Sequence, residues 1–258
     1  LADNGKINHE KGMSDAAALT FLFLIYAQDK REIEDLRMDK RRAIKILTSA
    51  AALYKENLED QKVLFVYGVP CEINKQILSD GKKVLLFKGY EVAFHRHNFL
   101  HLTGVRLNGR EVFSSIHFYE KCMSNRLSEN DFYFARDGST QQKLDILEIM
   151  MKIKKNAAML GDFTDRGPRL FTEKVIGNIC GCMGFVEDHS TRLNVPNTVL
   201  KKDIRDVTAS PIQKVYAVFS KDYLDERYVR LDKLDKSINL QEHLFPEEIE
   251  KSVEWKAG

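Results

Sequence analysis

The sequence predicts an α+β fold with a mainly antiparallel sheet, and three observations carry that expectation. Helical periodicity dominates up to about residue 155, interrupted by one β-rich region around residues 63–94, and β patterns dominate from residue 157 onward. Segregated helices and strands favour this class over a doubly wound parallel sheet. No dinucleotide fingerprint, Walker sequence or Gly-x-Ser-x-Gly elbow is present, so nucleotide hydrolysis and acyl transfer drop down the list. The chain of 258 residues, 43% apolar and 30% charged, shows no internal repeat, low-complexity stretch or long linker. A single domain with an N-terminal helical appendage is the economical organisation.

Taken in order, Ser14 can cap a helix with apolar face Leu19, Leu22, Phe23 and Tyr26. Asp39 opens a second helix, with Ala43, Ile46, Leu47, Ala50, Leu53, Tyr54 and Leu58 spaced three or four apart along one face. Short β-rich runs follow at 63–67, 84–87 and 90–94, punctuated by Gly68, Pro70, Gly81 and Gly89. Helical pattern returns between Asn98 and Leu127, with a turn at Asn108-Gly109 and a helix over about 111–124. Another follows Asp137-Gly138-Ser139 and runs to about Lys155. Strand runs are expected at 159–163, 170–176, 182–186, 193–195, 215–219 and 228–231.

Forty Lys and Arg against 38 Asp and Glu leave a formal charge of +2, so no overall basic excess marks a polyanion partner. The distribution is uneven: residues 61–110 carry 8 basic and 3 acidic side chains, whereas residues 222–258 carry 6 and 10. The longest apolar run, Ala16 to Ala27, reaches about half the ~20 residues of a spanning helix. No membrane segment is expected, and the acidic Asp15 and Asp29 around that run argue against a secretory signal. Four cysteines are too few for a disulfide scaffold in a chain of this length, which favours reduced thiols and a cytoplasmic location.

The densest polar chemistry is the segment from Phe94 to Gly104, which holds His95, His97 and His101. Histidine both accepts and donates protons near neutrality. His97 and His101 share a helical face at i, i+4, but Asn98 stands where a zincin helix carries Glu, so no metal site is expected. His95 and His97 read equally well as surface residues, and His101 as a half-buried histidine satisfied by backbone. Thr172 and Lys174 alternate in a strand pattern, where a hydroxyl beside a cation suits a phosphate oxygen; an ordinary exposed sheet face is the other reading. Pro196-Asn197-Thr198, leading to Lys201, Lys202 and Arg205, reads as a further polar segment or as a plain turn. Cys180-Gly181-Cys182 has too short a spacing for a zinc knuckle.

The order of these segments resembles the fourth family of phage-encoded nucleases grouped with barnase, EndoU, the tRNA-cleaving colicins and RelE. The matching pieces are Tyr54-Lys55-Glu56-Asn57-Leu58, Asn98 through Gly104, Phe118 through Cys122, Asp137-Gly138-Ser139-Thr140 and Leu160-Gly161-Asp162-Phe163. After them come Thr172-Glu173-Lys174, Gly184-Phe185 and Val195 through Asp206. The similarity covers roughly residues 40 to 232. It divides the chain into a helical appendage or upstream remnant over 1–38, a nuclease-like domain over 39–232 and an acidic tail over 233–258.

The resemblance implies N-terminal helices packed on a curved, mainly antiparallel sheet. It also implies a metal-independent endoribonuclease of phage or mobile-element origin that needs no cofactor. RNA, either tRNA or mRNA, would be its substrate, and a toxin-like setting would bring an inhibitor protein. Cleavage by the neighbouring 2′-hydroxyl requires a base, an acid for the leaving 5′-oxygen and cations for the phosphorane-like charge. In that scheme His101 carries the proton and Thr103 orients it or a phosphate oxygen, with His95 and His97 as candidates for a second carrier. Lys174, beside Thr172, stabilises developing charge, and Arg205 clamps the phosphate. Asn197, Thr198 and Lys202 bind the strand, and Tyr119 stacks on a base, a core aromatic being the other reading of that helical position. Two other readings stand beside this one: a non-catalytic nucleic-acid- or protein-binding module of a mobile element, and an enzyme acting on small or protein-linked nucleotides.

Overall fold

The computed structural model describes residues 38–71, 84–164, 171–238 and 245–254. The expected Ser14 helix, and all but the last residue of the 1–38 appendage, lie outside these residues. The expected α+β architecture is present: helices pack on a large, curved, mainly antiparallel sheet.

Helix α1 (Lys40–Asn57) buries Ala43, Leu47, Ala50 and Tyr54 of the face read from the 3.6-residue spacing, together with Ala51, while Ile46 and Leu53 are half-buried. Strands β1 (Gln61–Cys71) and β2 (Val84–Phe94) form a long antiparallel pair. The two short runs expected at 84–87 and 90–94 are one strand, because Gly89 pairs with Val66 and brings its backbone close to Leu64. The histidine segment folds as a 3-10 turn (Arg96–Asn98) and α2 (Phe99–Thr103), closed by Gly104 at φ 71°. A small hairpin of β3 (Val105–Leu107) and β4 (Phe132–Phe134) brackets α3 (Ser115–Met123). Helices α4 (Ser139–Met150) and α5 (Ile153–Asn156) replace the single helix expected to Lys155.

The remaining strands are β5 (Met159–Asp162), β6 (Lys174–Gly177), β7 (Cys182–Glu187), β8 (Asn194–Leu200), β9 (Gln213–Asp222) and β10 (Arg230–Leu234). The main sheet runs β1-β2-β8-β7-β6-β5-β9-β10, with β9 also paired to β1, so its ladder returns on itself. The closing step, β8 to β2, is a single parallel pair, Val92 with Asn194; every other pairing of its named strands is antiparallel. Register shifts at Val66/Tyr67, Gly184/Phe185 and Leu231/Lys233 add the local bend and twist such curvature needs.

One face of the curved sheet gathers Phe65, Tyr90 and Phe94 around Phe185, at ring-centroid distances of 6.1–6.5 Å. Phe65 of β1 and Phe185 of β7 meet although their strands are not neighbours in the ladder, so this face is concave, and Phe94 also meets Tyr54 of α1 at 6.3 Å. The opposite face carries two further cores. Val175, Cys182 and Leu200 pack there with Ile204 and Val207. Leu64, Val66, Phe87, Ala217 and Phe219 pack with Tyr228, Ile238, Phe245, Ile249 and Val253. The acidic segment after residue 232 therefore joins the folded body through its few apolar residues, three of them on or beside α6 (Glu247–Ser252).

Candidate active site

The concave face ends in a polar cluster where β5, β6 and β7 lie side by side. Lys174 is directly opposite Phe185 on β7 and Asp162 on β5, so all three side chains share the face that carries Phe65 and Tyr90. The Lys174 ammonium pairs with the Asp162 carboxylate and lies 6.0 Å from the centre of the Tyr90 ring. Its side chain is 30% exposed and that of Asp162 67%, so the cluster opens to solvent.

Tyr90 itself is deeply set, and its hydroxyl is buried with no hydrogen-bond partner. Burial raises the phenol pKa well above its ordinary value, and Glu173, Asp162 and Tyr67 push it the same way. The phenol is therefore a protonated donor across the neutral range. Thr164, two residues beyond Asp162 in the chain, also has a buried hydroxyl with no partner. Buried polar atoms without partners are uncommon and mark strain or a place for a ligand. An ammonium, a phenol donor and the carboxylates of Asp162 and Glu173 in one open cluster can bind a phosphoryl oxygen and accept a proton.

The sequence-derived candidates fall into separate neighbourhoods. His101 is exposed on α2, with His97 and Lys143 as its charged neighbours; the Lys143 ammonium donates to its carbonyl at 3.3 Å. Burial and these two groups lower the His101 pKa, which leaves a neutral imidazole at pH 7. Arg205 forks onto Asp203, with Nε 3.0 Å from both carboxylate oxygens. It sits on the 3-10 turn Ile204–Asp206, whose Ile204 packs with Val175. Strand alternation puts Val175 on the face opposite Lys174, so the sheet separates Arg205 from the ammonium. The expected meeting of ammonium and guanidinium is therefore not what the fold builds, and the charged neighbours of His101 are His97 and Lys143.

Three further expectations need correction. The Thr103 side chain is fully buried, and its hydroxyl donates to the Leu100 carbonyl at 2.7 Å, closing α2 rather than orienting a proton carrier. Tyr119 is 2% exposed, packs on Tyr54 and Phe99 and donates to Glu59 at 3.0 Å, so no base can stack on it. Thr198 is fully buried beside Gly184, whose alternation with Phe185 places it away from the concave face. Thr172 also contacts Gly184 and donates to Asn197 at 3.1 Å, and Asn197 donates to the Phe171 carbonyl at 2.8 Å. This pair ties β8 to the segment before β6. Lys202 is exposed.

His95 and His97 stack at 5.3 Å, with Tyr223 edge-on to His95 at 4.8 Å. Among the described residues, no group of three or more His, Cys, Asp or Glu side chains could hold a metal ion. Sequence reasoning missed Tyr90 and gave Asp162 no role. Tyr90 reads as an ordinary strand aromatic, and only the cross-strand register brings Asp162 to Lys174.

The family model described as phage-Barnase-EndoU-ColicinE5/D-RelE like nuclease4 matches residues 46–237. The chain belongs to that nuclease family. The matched span contains the concave face and every member of the Tyr90–Lys174 cluster. No curated protein and no solved structure matches the chain. Among the described residues, no helix of this nuclease-family protein is long and apolar enough to cross a membrane.

Proposed function

We propose that this chain is an endoribonuclease that cleaves RNA by attack of the 2′-oxygen on the adjacent phosphate, at the open end of the concave face. The observation that carries the reading is the buried, unpartnered hydroxyl of Tyr90, whose ring lies 6.0 Å from the Lys174 ammonium on the sheet of a nuclease-family member. Asp162 or Glu173 takes the 2′-hydroxyl proton as the new O–P bond forms. The Lys174 ammonium leaves Asp162 for the non-bridging oxygens and balances their growing charge. Tyr90 gives its proton to the leaving 5′-oxygen as the old O–P bond breaks, and the proton taken by the carboxylate returns to the phenolate through solvent. The products are a 2′,3′-cyclic phosphate and a 5′-hydroxyl.

A second reading places the proton carrier at His101, whose lowered pKa suits a base at neutral pH. One assay separates the two. Purified protein in EDTA should cut RNA, and Lys174→Ala and Tyr90→Phe should each lower kcat by about 10²–10³-fold, with His101→Ala near wild type. Loss of activity in His101→Ala alone would move the centre to α2. Salt-dependent binding of RNA without turnover by wild type would favour a binding module. Turnover of small nucleotides but not RNA would favour nucleotide chemistry.

A further inference from the structure

A second surface, on the helices, has the composition of a nucleotide platform. A pocket of about 520 Å³ lies between the last turn of α1, which supplies Lys55, and α3, which supplies His117 and Lys121; Arg126 lies beyond α3. That volume is within the range of small-molecule sites, roughly 300–1,000 Å³. Lys121 is held by Asp131 at 2.6 Å, but no hydrogen bond or ion pair within the described residues engages the side chain of Lys55 or Arg126. Glu120 is the one acidic group in the lining.

Beside this cationic pocket stands a flat aromatic surface. Phe113 is 79% exposed, and its ring lies nearly parallel to that of His117, at 5.2 Å and 17°. The Phe113 backbone N–H points to His117 Nδ1 at 3.4 Å, which leaves Nε2 to serve a ligand. Exposing a phenylalanine this far costs burial that a core position would recover. Next to two cations, it offers a stacking face for a base and charge for its phosphate.

We propose that this surface seats an unpaired nucleotide of the RNA substrate outside the Tyr90–Lys174 cluster: base on Phe113 and phosphate at Lys55 and Arg126. The assignment rests on the ribonuclease reading for its substrate and shares no residue with the proposed catalytic cluster. The ligand is a nucleotide within a strand rather than a free one. The platform is open, so a mononucleotide gains little there, whereas a strand already held at the cleavage site arrives at high effective concentration.

The test is fluorescence anisotropy of the full chain with a labelled, uncleavable 2′-O-methyl single strand of about 12 nucleotides, a length within known single-strand footprints. Phe113→Ala should weaken binding about 5- to 100-fold. Lys55→Ala combined with Arg126→Ala should lower the slope of log K against log salt by about 1.4. Both variants should cleave a dinucleotide like wild type, with KM raised only for long strands. Wild-type affinity and slope in all variants would overturn the proposal while leaving the nuclease reading intact. Phe113-dependent binding by a protein that cuts nothing would uphold it and remove the nuclease reading. Failure of wild type to bind the strand at low salt would overturn it and turn the surface over to a protein partner.

Discussion

Lys143 illustrates how a single side chain can be held against its own preference. Its stem fills the space above Gly104, where an added Cβ would come within 2.7 Å of its Cδ, and its ammonium reaches the His101 carbonyl. Burial pushes the amine from an ordinary 10.5 down to about 8, against an opposing pull from Asp137. Below pH 8 the amine is charged in both folded and unfolded states, and the folded state bears the whole cost. Between about 8 and 10.5 the unfolded chain keeps a proton that the folded one has released, so stability rises with pH across that window. Lys143→Met should therefore be more stable than wild type at pH 7 by on the order of 1–2 kcal/mol, after allowing for screening of a partly exposed amine. Its advantage should shrink as pH climbs toward 10. Urea unfolding across that range checks this, and a difference that does not change with pH would refute it. At the same scale, the corrections at Thr103 and Tyr119 show what a string of residues conceals. Both residue types suit RNA chemistry, but a hydroxyl at a helix end satisfies the nearest carbonyl, and a helical tyrosine facing Tyr54 and Phe99 completes a core.

At the scale of elements, legibility tracked length and periodicity. Most of the buried face of α1 could be read because seven apolar positions repeat at helical spacing, with Ala51 the buried residue outside them. Strands β3 and β4 went unread, since three residues each are too few for a period to show. The helix expected to Lys155 breaks near Met151, where the backbone turns before α5. The β6–β7 hairpin depends on a feature that sequence alone did not expose. A Cβ on Gly177 would lie 2.3 Å from the Gly181 carbonyl oxygen and 2.5 Å from Cys182 Cα. Both obstacles are backbone, so Gly177→Ala must shift the strand pair that carries Lys174 to Phe185. We expect a loss of about 1–3 kcal/mol in denaturant unfolding. Catalytic turnover should fall further than the fraction folded explains, since Lys174 lies on the displaced strand. Unchanged stability would mean that the hairpin relaxes freely.

For the whole molecule, the order of helices and strands was enough to anticipate the class, and the segment order was enough to anticipate the family later matched over residues 46–237. The closure of the ladder was not legible, because one parallel pair, Val92 with Asn194, joins strands about 100 residues apart. Nor was the packing of the acidic segment after residue 232, where net charge masks Ile238, Phe245, Ile249 and Val253. The same long-range geometry explains the site. Register brings Asp162 to Lys174 and curvature brings the Tyr90 ring to the Lys174 ammonium, whereas Arg205 is carried to the other face. In the proposed reaction the neighbouring 2′-hydroxyl is the nucleophile at this concave cluster. The most direct measurement uses two synthetic RNAs, identical except for a single 2′-deoxy sugar at the mapped cleavage position, incubated with the protein in EDTA. The all-ribose strand should be cut to a 2′,3′-cyclic phosphate and a 5′-hydroxyl while the substituted position stays intact. Equal cutting of both strands, or products ending in a 3′-hydroxyl and a 5′-phosphate, would contradict it.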